Sequence, residues 1–199
     1  MRIEEIRSLF GGIDNEAVSA ERFLLTLVRT VRGDGRDAGR GARDLYVAAR
    51  KRRRRLAVMS IGTGPFAGVA NQLADLYCET ATVCDLATLH RLDLSDEEIG
   101  AHMLVLWGLS ERYPAALKTM GGEPPLAQVL ATQLRELAGE QMPEQLTKRS
   151  ITKAIWDIRA AIGDARKGAT TGAMRTAALT GHRTKKLIRK LEAQLGVAG

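Results

Sequence analysis

The chain has 199 residues, enough for one domain with a sizeable core, and its 45% hydrophobic content excludes bulk disorder. Aromatic residues make up only 4% while Ala, Leu, Arg and Glu abound, a balance that favours helices over sheets. The net charge of +7 points to an anionic partner, and no run reaches the roughly 18–20 apolar residues that a membrane-spanning helix needs.

In chain order, the expected architecture is all-α. "RIEEIRSLF" sets Ile3, Ile6, Leu9 and Phe10 at helical spacing before Gly11 and Gly12 stop it. "IDNEAVSAERFLLTLVRTVR" follows as a helix with Phe23, Leu24, Leu27, Val28 and Val31 on one face and Asp14 or Asn15 as its cap. The glycine-rich, charged stretch 33–41 reads as a linker. It makes 1–32 an N-terminal helical arm and 42–199 the main helical domain, with a basic C-terminal part at 146–199.

A third helix runs from about Ala42 through the arginines into a Gly/Pro stretch, and a fourth covers 66–90, where Val69, Leu73, Leu76, Thr80, Val83 and Ala87 recur at steps of three and four. Ser95 precedes Glu98 by three positions, the capping-box arrangement, and Ile99, Met103, Leu106 and Leu109 then supply an apolar stripe. "GGEPP" at 121–125 separates this from a helix ending near Ala138. In the basic end, Ile151, Ile155, Ile158 and Ile162 line one helix face. A final helix keeps Leu187, Ile188, Leu191 and Leu195 inside and its lysines and arginines outside.

The charge is unevenly placed. Residues 75–144 hold twelve acids and four bases, 43–55 seven bases and one acid, and 148–190 twelve bases and two acids. Two readings stay open: the basic flanks neutralise the acidic middle within the fold, or they face an anionic partner. Two cysteines and the charged start "MRIEEIRSLF" suggest a reduced, cytoplasmic setting. Cys78, Cys84 and His90 follow no standard zinc spacing, so the cysteines read as small buried residues and no metal is assigned. Glu98 and His102, four apart, suit a helix-stabilising pair.

The stretch "RLAVMSIGTGPFA" raises a nucleotide reading. Gly62, Gly64 and Ala67 match G-x-G-x-x-A, and Asp85 lies 23 positions beyond Gly62, where a ribose-binding acid would sit. Such a site needs a strand before the turn and another after the helix, whereas "TATVCDLATLHRL" continues a helical period. A transferase using a nucleotide or S-adenosylmethionine is therefore the second alternative. A P-loop is excluded because Val69, not lysine, follows Gly68.

The segment "IGTGPFAGVANQLADLYCETATVCDLATLHRLDLSDEEIGAHMLVLWG" resembles the EcsC family of bacterial helical proteins. The likeness rests on the glycine/proline turn from Gly62 to Gly68, Asp75 in the following helix, "LATLH", "LDLSDEE" and the apolar "AHMLVLWG", and it extends over roughly residues 43–115. His90 and Arg91 stand where that family often carries Tyr-Gly. The resemblance implies an all-helical fold, peripheral association with membranes or membrane-protein systems, and no established enzymatic site.

The physical reading of the basic run agrees with that implication. Arg52, Arg53, Arg54 and Arg55, supported by Lys185, Lys186, Arg189 and Lys190, are the candidate contacts for an anionic surface, with the turn Gly62, Gly64, Pro65 and Gly68 beside them. Asp75, one turn before Glu79, is the candidate functional acid; it would equally neutralise an arginine of the run. No catalytic residue or cofactor is assigned. The expected role is a non-enzymatic protein held peripherally at the inner face of the cell membrane, on anionic lipid or a membrane protein complex. The first alternative is nucleic-acid binding through the same segments, although Trp156, read as core, is the sole aromatic of the basic C-terminal stretch. Trp107 also reads as packed, and a homo-oligomer remains open, since apolar helix faces can close on a second copy.

Overall fold

The computed structural model describes residues 17–34, 41–61, 67–165 and 180–197. The expected helix at 3–10, the caps Asp14 and Asn15, and Gly62, Gly64 and Pro65 of the turn lie outside them. Among the described residues eight α-helices follow in order: α1 (Ala20–Gly33), α2 (Ala42–Ile61), α3 (Ala67–Leu89), α4 (Asp96–Trp107), α5 (Tyr113–Met120), α6 (Leu126–Gln133), α7 (Lys148–Ala165) and α8 (Thr180–Leu195). No strand occurs among the described residues, so the fold is all-α. Both segments flanking the glycine turn are helical, and the strand-bounded crevice of the nucleotide reading does not form there.

The centre of the molecule is α3. Every residue from 73 to 87 is buried apart from the half-buried Asp75, the mark of a helix enclosed on all sides. Its threonines fit that setting by bonding back along the helix: Thr80 Oγ1 donates to the Leu76 carbonyl at 2.9 Å and Thr82 Oγ1 to that of Cys78 at 2.8 Å. Helices α1, α2, α4, α7 and α8 pack around it.

Residues 20–33 do not form a separate arm. The apolar face of α1, with Phe23, Leu24, Leu27, Val28 and Val31, is buried against α3, α4, α6 and α7. A stripe this continuous exposes too much apolar area if left undocked. The helix starts at Ala20, with the Ser19 hydroxyl accepting the Arg22 amide at 3.1 Å. Glu21 on the same helix accepts the Leu126 amide at 2.6 Å, so α1 caps α6 across the bundle.

Helix α4 carries the capping box read from the sequence: Ser95 Oγ accepts the Glu98 amide at 3.1 Å, and Glu98 Oε2 accepts the Ser95 amide at 2.7 Å. It ends at Gly108, whose φ of +78° is the left-handed C-terminal cap. Sequence periodicity passes over α5, because eight residues give barely two turns; Pro114 in the first turn is its one local signal. Met120 of α5 lies so close to Gly100 of α4 that a Cβ there would sit 2.7 Å from its Cε. Helix α6 finishes in a π-helical turn, Leu134–Ala138.

Removing the cap or its terminator tests this frame. Ser95→Ala is expected to cost about 1 kcal/mol. Gly108→Ala should cost about 1–2 kcal/mol for the left-handed backbone, with its new Cβ 3.0 Å from Ile162 Cδ1 as a further constraint. Urea unfolding with an unchanged m-value checks both.

Candidate functional site: a basic face over a buried ion network

The arginine run of α2 is divided by helical geometry. Leu45, Ala49, the adjacent pair Arg52 and Arg53, and Leu56 recur at helical spacing, and all five turn inward. Val47, Arg50, Lys51 and Arg54 repeat at the same steps on the opposite side and are exposed, as is Arg55. Arg52 and Arg53 thus occupy positions that an ordinary amphipathic helix fills with apolar residues. They leave the expected surface-contact set, because their charges are engaged inside the protein.

Their partners come from a polar stripe on α3. Asp75, the adjacent pair Cys78 and Glu79, Thr82 and Asp85 recur at helical spacing, hence on one face of that helix. Arg53 Nε donates to Asp75 Oδ1 at 2.8 Å, and its Nη2 lies 3.7 Å from Glu79 Oε1. Arg52 Nη2 donates to Asp85 Oδ2 at 2.6 Å, with the two side chains 11% and 4% exposed. Asp75 and Asp85 stand about 15 Å apart along the helix, so the two neighbouring arginines reach in opposite directions.

Glu79 is the junction. Its Oε1 accepts Arg159 Nη2 of α7 at 2.8 Å, and its Oε2 accepts Trp107 Nε1 of α4 at 2.8 Å. One carboxylate on α3 therefore meets donors from α7 and α4 while Arg53 of α2 approaches it. Arg159 also lies over the half-buried Trp156 ring, 5.6 Å from its centroid.

The electrostatics follow from burial. Desolvation pulls the Arg53 guanidinium down, but Asp75 and Glu79 more than reverse it and hold Arg53 above its ordinary value. Burial pushes the Cys78 thiol up to about 12, against the pull of Arg53 and Arg52. Cys78 is thus a protonated, inert packing residue at neutral pH. Cys84 is likewise buried and unbridged. Asp75, the candidate functional acid after the glycine turn, is paired with Arg53.

The basic residues left outside lie on adjoining helices. Arg50, Lys51, Arg54 and Arg55 are exposed on α2, and Lys185, Lys186, Arg189 and Lys190 on α8, which packs directly against α2. The inward faces of α8, Ile188 and Leu191 above all, hold it to the bundle. Lys190 is partly committed: its Nζ donates to the Leu106 carbonyl at 3.0 Å. Gly68 is exposed in the first turn of α3, with nothing within 4 Å of where a Cβ would stand.

Spacing alone passes over Glu79 as a junction, Asp85 as an ion-pair partner, and Arg159. The signals are nevertheless present: Arg52 and Arg53 continue the Leu45–Ala49–Leu56 stripe, and Arg159 stands four residues after Ile155 and three before Ile162.

Truncating the junction separates buried from surface charge. Glu79→Ala is expected to cost about 3–5 kcal/mol, since it leaves Arg159 and Arg53 short of a counter-charge and the Trp107 N–H without an acceptor. Arg54→Ala on the outward face should stay within about 0.5 kcal/mol. Chemical denaturation of the two variants reads the contrast. No protein-family model, curated protein or solved structure matches the chain.

Proposed function

We propose that this protein is a non-enzymatic docking protein that attaches peripherally to an anionic membrane face through the adjoining basic surfaces of α2 and α8. The observation that carries the reading is the division of the arginine run. The bundle consumes Arg52 and Arg53, while Arg50, Lys51, Arg54 and Arg55 remain exposed, as do Lys185, Lys186, Arg189 and Lys190 on a helix that packs against α2. The resemblance of residues 43–115 to the EcsC family points the same way.

The mode of attachment is superficial. Among the described residues no helix is long and apolar enough to cross a membrane. On the outward face of α2 the large apolar residue among the cations is Val47, 54% exposed. Attraction to the exposed cations supplies the affinity in this reading. A basic side chain near an anionic leaflet contributes about 1 kcal/mol. With half of the eight cations facing the surface, attachment amounts to about 4 kcal/mol, a dissociation constant of about 1 mM accessible lipid. Such binding is reversible and strongly screened by salt.

Duplex nucleic acid offers the same phosphate chemistry, and the test includes it. Co-sedimentation with phosphatidylcholine vesicles containing phosphatidylserine should recover the protein at low salt. Recovery should fall to background with phosphatidylcholine alone, or in about 1 M salt, where the screening length is about 3 Å. Replacing Arg54, Arg55, Lys185 and Lys186 together with Gln should weaken vesicle binding at least about tenfold. Equal recovery on both vesicle types, or tighter binding to duplex DNA than to the anionic vesicles, overturns the membrane reading.

A further inference from the structure

The last turns of α8 are fastened to α4 by a contact whose chemistry depends on one proton. Gln194 Nε2 lies 2.9 Å from His102 Nδ1 and donates to the His102 backbone carbonyl at 3.1 Å. The carbonyl can only accept, so it fixes the amide with its nitrogen toward His102. Nδ1 must then accept as well, and the imidazole is held neutral with its proton on Nε2. One turn earlier on α8, Lys190 Nζ donates to the Leu106 carbonyl at 3.0 Å. His102 itself is 6% exposed.

We infer that His102 and Gln194 form a proton-sensitive latch: protonating Nδ1 sets a second donor against the Gln194 amide and loosens the C-terminal turns of α8 from α4. Turning the amide over brings no relief, because its oxygen would then oppose the His102 carbonyl. The inference concerns the attachment of α8 and stands apart from the membrane reading.

The surroundings of His102 favour the neutral form. Tyr113 of α5 stacks on the ring at 4.4 Å between centroids. Glu98, one turn earlier on α4, is the carboxylate nearest in sequence, yet its Oε2 accepts the Ser95 amide at 2.7 Å. From α8 come Gln194 and the cation Lys190. From α1, Arg29 and Arg32 pair with Asp96 at 3.0 and 3.1 Å, at the far end of α4. From α3, Glu79 is taken by Trp107 and Arg159. Burial pushes the imidazole below its ordinary value, with Glu98 opposing less strongly.

A histidine whose value is lowered in the docked state binds fewer protons there than when released. Docking is therefore complete above the ordinary value of about 6.5 and is lost as the pH falls from there toward the docked-state value. Ile188 and Leu191, 6% and 0% exposed, are apolar and keep the body of α8 in place.

Amide hydrogen exchange of the full chain, expressed as protection factors to remove the intrinsic pH effect, tests the latch. Between pH 7.5 and 5, protection over residues 190–196 should fall at least tenfold while that of α3 holds. His102→Asn keeps an acceptor near Nδ1 without titrating, and should abolish the change. Gln194→Glu supplies a carboxylate to the imidazolium and should reverse it, giving higher protection at pH 5 than at 7.5. A wild-type fall no larger than that of α3, a fall that persists in His102→Asn, or an unreversed Gln194→Glu overturns the inference. Vesicle binding enters none of these readouts, so failure of the latch and failure of the membrane reading are told apart.

Discussion

Burial of the Glu79 carboxylate is the constraint on which the rest of the molecule depends. A lone carboxylate enclosed by α3 and its neighbours would cost several kcal/mol in desolvation. The sequence answers with donors from other helices: Arg159 from α7, Trp107 from α4 and, more distantly, Arg53 from α2. Each can reach the carboxylate only if its helix lies in one place along α3. Apolar packing drives the helices together, but it tolerates sliding far better than a hydrogen bond between fixed atoms does. The ion network therefore sets register more than it adds stability.

The same logic explains why an arginine-rich helix lies against the most buried helix of the fold. The polar stripe of α3 carries Asp75, Glu79 and Asp85 within a span that is otherwise buried. An entirely apolar partner face would deprive Asp75 and Asp85 of their arginines. Two adjacent arginines on α2, diverging toward Asp75 and Asp85, satisfy the ends, and Arg159 satisfies the middle.

Legibility in the sequence tracks the range of the interactions. The all-α class, the Ser95–Glu98 box and the inward face of α8 are local, and composition and periodicity alone reveal them. The inward turn of Arg52 and Arg53 is obscured because a run of identical cations offers no contrast between faces; only the flanking Leu45, Ala49 and Leu56 carry the phase. The burial of α1 is hidden by the linker-like composition of 33–41, which says nothing of where the preceding helix docks. Glu79–Arg159 spans 80 positions, and Gln194–His102 spans 92. No spacing rule in one sequence joins residues that distant.

The network also decides where the net charge resides. Arg52, Arg53 and Arg159 balance Asp75, Glu79 and Asp85 one for one, so together they contribute nothing to the total of +7. The excess must come from outside that set. Three arginines of the basic flanks pair with three acids of the middle segment, and Arg50, Lys51, Arg54 and Arg55 of the same run lie exposed. Anchoring through Arg52 and Arg53 further fixes the rotation of α2 about its own axis. Arg50, Lys51 and Arg54 are consequently held outward by the same contacts that hold their neighbours inward. A rigidly oriented cationic face loses less side-chain and segmental freedom on meeting an anionic surface than a flexible basic tail of equal charge, and the interior carboxylates of α3 are what make it rigid.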